Sequence, residues 1–222
     1  MDANINSFLN WSQSQLAEAG VLSPRLDSEI ILAHTLNLSR TDLWTQAERV
    51  LSESEIKIVK KNMERRLNRE PVSLIVGHQE FWSLDFVVNE NVLTPRPETE
   101  RVVETALNCL QSPIAKILDL GTGSGVLAVV MAKEMPECKV SALEIDPKAL
   151  SIANVNALQH GVADKIKFVC ADLRKEDWSG PYSMILSNPP YIPSADIQKI
   201  MPEVQNYEPM KALDGGEKGL DF

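Results

Sequence analysis

The residues best suited to chemistry fall in four short stretches of the chain: "DLGTGSG", "EIDP", "ADL" and "SNPPYIP". The last follows the apolar run "YSMIL" and joins a carboxamide, a stiff backbone and an aromatic ring in one loop. Proline fixes φ and pushes the residue before it into extended geometry, so Asn188 and Pro189 are both held before anything binds. An amide or exocyclic amino nitrogen is a poor nucleophile because its lone pair is delocalised. Acceptors aimed at its two N–H groups help it to attack, because they stabilise the positive charge that develops. Asn188 Oδ1 and the Pro189 carbonyl are the expected acceptors. Pro190 stiffens the turn, and Tyr191 offers a face to stack on a planar amide. This combination predicts N-methylation of a planar nitrogen, driven by positioning and needing no strong base.

A cofactor site is predicted at the other three stretches. Gly121, Thr122, Gly123, Ser124 and Gly125 form a glycine-rich turn between a strand and a helix. A dinucleotide fingerprint needs its third glycine where Val126 stands, and no Gly-Lys-Ser/Thr follows to make a P-loop. Glu144 ends the next strand, where an acid accepts from ribose hydroxyls. Asp172 ends the strand after that, placed to reach an adenine amino group while Leu173 packs on the ring. Asp119 and Glu144 would repel a pyrophosphate, whereas the sulfonium of S-adenosylmethionine suits an acidic crevice. His34, His78 and His160 have no partners at metal-ligand spacing, so no metal site is expected.

These loops need a scaffold that brings them together. "AKILDL", "KVSALE", "IKFVCA" and "YSMILS" read as buried strands, separated in part by helical "GSGVLAVVMAKEM" and "DPKALSIANVNALQHG". Such alternation predicts an α/β fold, a parallel sheet covered on both faces with ligands at its carboxyl edge. The first third reads as helices: "INSFLNWSQSQLAEAG" stopped at Gly20, "SPRLDSEIILAHTLN" opened by Pro24, and "SESEIKIVKKNMERRLNRE" with a Ser52/Glu55 capping box. Between Pro71 and Leu93 the β-rich "SLIVGHQEFWSLDFVVNENVL" reads as a hairpin joining two domains, with Trp82 and Phe86 as packing residues.

A net charge of −9 over 222 residues argues against a protein that grips nucleic acid through its phosphates. The basic run holding Lys57, Lys60, Lys61, Arg65, Arg66 and Arg69 reads as a solvated helix face. Cys109, Cys138 and Cys170 read as reduced, small apolar core residues. No signal peptide and no bilayer-spanning stretch is evident, so a soluble, cytoplasmic protein is expected.

The pair "SNPPY" and "DLGTGSG" is shared by adenine-N6 DNA methyltransferases and protein glutamine-N5 methyltransferases. With "EFWSLDFVVNENVLTPRPETE" and "YEPMKALDGGEKGLDF" added, the chain resembles, over essentially its whole length, the HemK/PrmC-type release factor glutamine methyltransferases. The resemblance implies a Rossmann-like class I methyltransferase sheet using S-adenosylmethionine. Residues 1–72 would be a helical substrate-docking bundle, 73–93 a β-hairpin linker and 94–222 the methyltransferase domain. The substrate would be the glutamine of the Gly-Gly-Gln motif in peptide-chain release factors. Cofactor contacts carry over to Gly121 through Gly125, Glu144, Asp172, Leu173 and Asn188, and substrate contacts to Asn188, Pro189, Pro190 and Tyr191. "LTPRPETE" lies near the substrate channel in this family, which makes Arg96 a candidate; Thr94 stands where an aliphatic residue is usual. The family pattern continues beyond Phe222 through a helix and the last strands of a seven-stranded sheet, so a shortened sheet with an unpaired apolar edge is expected. A monomer with no direct nucleic-acid or membrane contact is expected. The competing readings are methylation of a ribosomal-protein glutamine, methylation of adenine N6, and a non-catalytic binding module.

Overall fold

The structure, a computed structural model, describes residues 4–110, 112, 114–175 and 180–222. It divides into two units, Met1–Val76 with Pro202–Tyr207, and Gly77–Met201 with Glu208–Phe222. The first is helical: α1 (Ile5–Glu18), α2 (Pro24–Leu36), α3 (Arg40–Thr45), α4 (Glu53–Leu67), α5 (Val72–Val76) and the short helix Pro202–Tyr207. Local chemistry starts these helices where the sequence says it should. Pro24 opens α2, and Ser52 and Glu55 cap α4 reciprocally, each side chain meeting the other's backbone amide. Ile5, Phe8, Leu16, Ile31, Val59 and Met63 then close one apolar core.

Two expectations change here. Val72–Val76 is helical instead of part of the hairpin: Leu74 and Ile75 both donate to the Pro71 carbonyl, and Ser73, Ile75 and Val76 are buried. Burial at helical spacing overrides the strand propensity of Ile and Val. The basic run also splits. Lys57, Lys60 and Lys61 are exposed, but Arg66 is 5 % exposed and bridges two acids. Its Nε donates to Asp27 at 2.7 Å, its Nη2 to Glu203 at 3.1 Å and its Nη1 to the Glu70 carbonyl at 3.1 Å. Arg69 adds a 2.8 Å contact to Glu203, whose carboxyl pKa is lowered: burial alone would raise it, and the two arginines and its own amide outweigh that. The arginines are therefore internal fasteners that hold Pro202–Tyr207 within this unit.

The second unit begins with a hairpin, β1 (His78–Phe81) and β2 (Leu84–Val87), followed by α6 (Glu100–Cys109). Then come β3 (Lys116–Leu120), α7 (Val126–Glu134), β4 (Lys139–Glu144), α8 (Pro147–Gln159), β5 (Ile166–Cys170) and β6 (Met184–Ser187). The four last strands form one parallel sheet in the order β5-β4-β3-β6. Helix α7 is buried without interruption from Val126 to Ala132, which explains its lack of amphipathic pattern. The chain turns outward from β3 in both directions, so a crevice opens between β3 and β6 at their carboxyl ends. Asn156 of α8, fully buried, accepts from Val87 N and donates to the Val87 and Ser124 carbonyls, locking hairpin, helix and glycine loop together. Cys138 is buried as expected, but Cys109 and Cys170 are exposed, because they lie at the end of α6 and of the edge strand β5. β6 bounds the sheet on the other side. Among the described residues no helix is long and apolar enough to cross a membrane.

Candidate active site

The glycine loop and Glu144 are built as one object. Thr122 N donates to the Leu143 carbonyl at 2.8 Å, tying the loop after β3 to the end of β4. Gly123, at φ +55°, turns its amide onto Glu144 Oε2 at 3.0 Å. That conformation strains any residue with a Cβ, and no neighbour stands within 4 Å of where a Cβ would project. Glu144 Oε1 also accepts from the Ile145 and Asp146 amides at 2.9 and 3.1 Å, so the carboxylate is fixed at its strand end. Gly125 does something different. A Cβ there would sit 3.0 Å from Ala153 Cβ, so this glycine lets α7 and α8 approach, and it is not on the cavity wall.

Beneath the loop lies a group the sequence reading used only as background charge. Asp119 is 1 % exposed, and Thr122 Oγ1 donates to its Oδ2 at 2.6 Å. Burial raises its pKa from the ordinary 3.8 to about 6; the Thr122 hydroxyl and the Ala128 amide pull it back only in part. Among the described residues its Oδ1 has no donor in hydrogen-bond geometry. A raised acid means that the folded state keeps a proton the unfolded chain has released. Stability therefore falls as pH rises from about 4 to about 6, and is flat above. Asp119→Asn has nothing to titrate there. Urea unfolding at pH 4 and pH 7 is expected to show wild type losing about 2 kcal/mol relative to the variant.

A cavity of about 450 Å³ opens over these strand ends, within the size range of small-molecule sites. Gly121, Thr122, Gly123 and Ser124 form one wall and Glu144 another. Asp172 and Leu173 stand at the end of β5. Asp172 is held charged by the Arg174 side chain and amide, with Lys175 adding to them, which lower its pKa to about 2. An adenosine-bearing cation fits this set: an open glycine cradle and two carboxylates, Glu144 and Asp172, on the wall of one cavity.

Asn188 and Pro190 complete the wall, and Arg96 joins from the "TPRPETE" segment. Asn188 Nδ2 donates to Thr99 Oγ1 at 3.2 Å, and its Oδ1 is the end left without a protein partner among the described residues. Pro189 is not on the wall, and Tyr191 is 67 % exposed and off it as well. Arg96 Nη2 spans both oxygens of Glu208 at 2.8 and 2.7 Å. Glu208 is buried, and burial raises its pKa against the pull of Arg96 and of hydrogen bonds from Thr94, which gives the polar residue at position 94 its purpose. Sequence reasoning had no signal for Glu208 or Thr99. Nor did it foresee that the "DGG" turn clamps the proline loop: Ile192 N donates to the Leu213 carbonyl at 3.0 Å and Gly215 N to the Ile192 carbonyl at 2.9 Å. A Cβ at Gly215 would come within 2.8 Å of the Pro190 oxygen, so only glycine allows that approach.

This sheet order, with its strand-end cavity, defines a Rossmann-like class I methyltransferase domain, and residues 100–205 match the methyltransferase small domain family. Residues 7–77 match the PrmC N-terminal domain. The chain is 42 % identical over 219 residues to the release factor glutamine methyltransferase of Geobacter sulfurreducens, covering 98 % of this chain and 76 % of that protein. It is 40 % identical over 220 residues to the protein of that name from Nitratidesulfovibrio vulgaris, covering 99 % and 75 %. The chain belongs to the release factor glutamine methyltransferase family. In fold it is also similar to the hMettl16 catalytic domain in complex with the MAT2A 3′UTR hairpin 6, with a TM-score of 0.54 and 18 % identity over 72 % of this chain and 59 % of that one.

Proposed function

We propose that this chain transfers the methyl group of S-adenosylmethionine to the side-chain nitrogen of the glutamine in the Gly-Gly-Gln motif of peptide-chain release factors. The observation that carries the reading is Asn188: a carboxamide on the wall of the cavity, anchored through Nδ2 and free at Oδ1. The cofactor supplies a methyl on a cationic sulfur. The chain supplies the rest. Gly121 to Ser124 give a backbone surface on which a ligand can lie, and Glu144, already fixed by three amides, keeps a lone pair on Oε2 for a ribose hydroxyl. Asp172 and Leu173 serve the adenine, the one by accepting from its amino group and the other by packing. Asn188 Oδ1 and the Pro189 carbonyl accept from the substrate amide as its nitrogen becomes acidic, which favours the pyramidal, attacking geometry. Tyr191, exposed in this state, is the stacking face that an entering glutamine covers. Arg96, neutralised by Glu208, orients peptide carbonyls of the substrate loop.

In this reading the helical unit, which runs through Val76 and includes Pro202–Tyr207, docks the release factor, and the unit that begins with the hairpin at Gly77 carries the chemistry. The protein acts as a cytoplasmic monomer with no direct nucleic-acid contact. Tritium transfer from labelled S-adenosylmethionine, with a Gly-Gly-Gln release factor offered beside duplex DNA and ribosomal protein, tests the proposal. Label is expected on the release factor and absent from its Gly-Gly-Ala variant. Label on DNA or ribosomal protein alone, or on nothing, overturns it.

A further inference from the structure

We infer that Thr99 is a positioning residue for methyl transfer, its hydroxyl oxygen holding the Asn188 carboxamide so that Oδ1 faces the substrate. The inference rests on the methyl-transfer reading above and deepens it. A carboxamide turns easily about its last side-chain bond, since that torsion is broad. An acceptor that swings is an acceptor present part of the time. Here one end of the amide is secured: Nδ2 donates to Thr99 Oγ1 at 3.2 Å, and Oδ1 is the end that remains for a ligand. Rotating the amide by half a turn would point two N–H groups at the substrate's own NH₂, a donor facing donors.

The anchor is itself mounted rigidly. Thr99 is 7 % exposed and lies in the 3-10 turn Pro97–Thr99, where its amide donates to the Arg96 carbonyl at 3.0 Å. Pro97 fixes φ at the start of that turn. Arg96 is in turn held by both oxygens of Glu208. A path of short, directional contacts thus runs from a buried carboxylate to the amide proposed to meet the substrate. The "PRPETE" segment, readable from its sequence as an ordinary helix start, is the mount of Asn188.

The test is a double-mutant cycle read by single-turnover methyl transfer. Thr99→Val keeps the shape and removes the oxygen. It is expected to lower the transfer rate about tenfold, the worth of one hydrogen bond at a site of developing charge. Affinity for S-adenosylhomocysteine by calorimetry and KM for the release factor are expected to stay within about threefold of wild type. Thr99→Ser restores the rate. In an Asn188→Ala background Thr99→Val adds no further loss, because the group it positions is gone. An unchanged rate in Thr99→Val, a loss that adds in full to that of Asn188→Ala, or a loss seen as weakened cofactor affinity overturns the inference. Failure of the wild-type chain to label the release factor would instead strike the proposed function, and the same cycle on the substrate then found would still decide the role of Thr99.

Discussion

Asn188→Ala is expected to slow methyl transfer by about a hundredfold to a thousandfold, or about 3–4 kcal/mol, while affinity for S-adenosylhomocysteine stays within about tenfold. The size follows from what the side chain is placed to do. The substrate nitrogen carries two hydrogens whose acidity rises as the nitrogen attacks, so an acceptor there is worth more in the transition state than in the bound ground state. The cofactor keeps its other partners: the open glycine loop, the Glu144 carboxylate held by three amides, and Asp172. Rate and binding should therefore separate. Single-turnover labelling beside calorimetry checks this, and a rate equal to wild type would remove Asn188 from the chemistry.

The largest effect on stability is expected at Arg66→Met. The arginine is 5 % exposed and its guanidinium serves Asp27, Glu203 and the Glu70 carbonyl. Methionine replaces much of the stem but none of the donors, and leaves one acid with no cation and the other with Arg69 alone. Breaking a buried pair from one side costs about 3–5 kcal/mol, since the remaining charge is neither hydrated nor matched. Hydrogen exchange should show the loss in α2, α4 and Pro202–Tyr207, the elements that the arginine joins. The compensated variant, with Asp27→Asn and Glu203→Gln added, should recover part of it. Exchange rates equal to wild type in those helices would show that the network does not fasten this unit.

Much of the design can be read along the chain. The Ser52/Glu55 box, Pro24 at a helix start and the glycine run after "ILDL" act through neighbours a few residues away, so local sequence carries their meaning. Strand–helix alternation sufficed for the parallel sheet, because continuous apolar strands have few other ways to be buried. Val72–Val76 escaped because its residues favour strands in isolation and only burial makes them helical. Arg66 escaped for a similar reason: a basic residue in a basic run reads as solvated unless its acids, 39 and 137 residues away, are seen.

The same division runs through the site. Residue types and spacing were enough to name the chemistry, since a proline-stiffened carboxamide beside a glycine loop and three acids suits few reactions. Which groups share the cavity was a matter of folding. Burial raised Asp119, a turn 89 residues upstream supplied the oxygen that holds Asn188, and the "DGG" turn closed on the proline loop from behind. Local preference and covalent stiffness are properties of a short stretch of chain. Burial, charge matching and close approach exist only between stretches that folding has brought into contact.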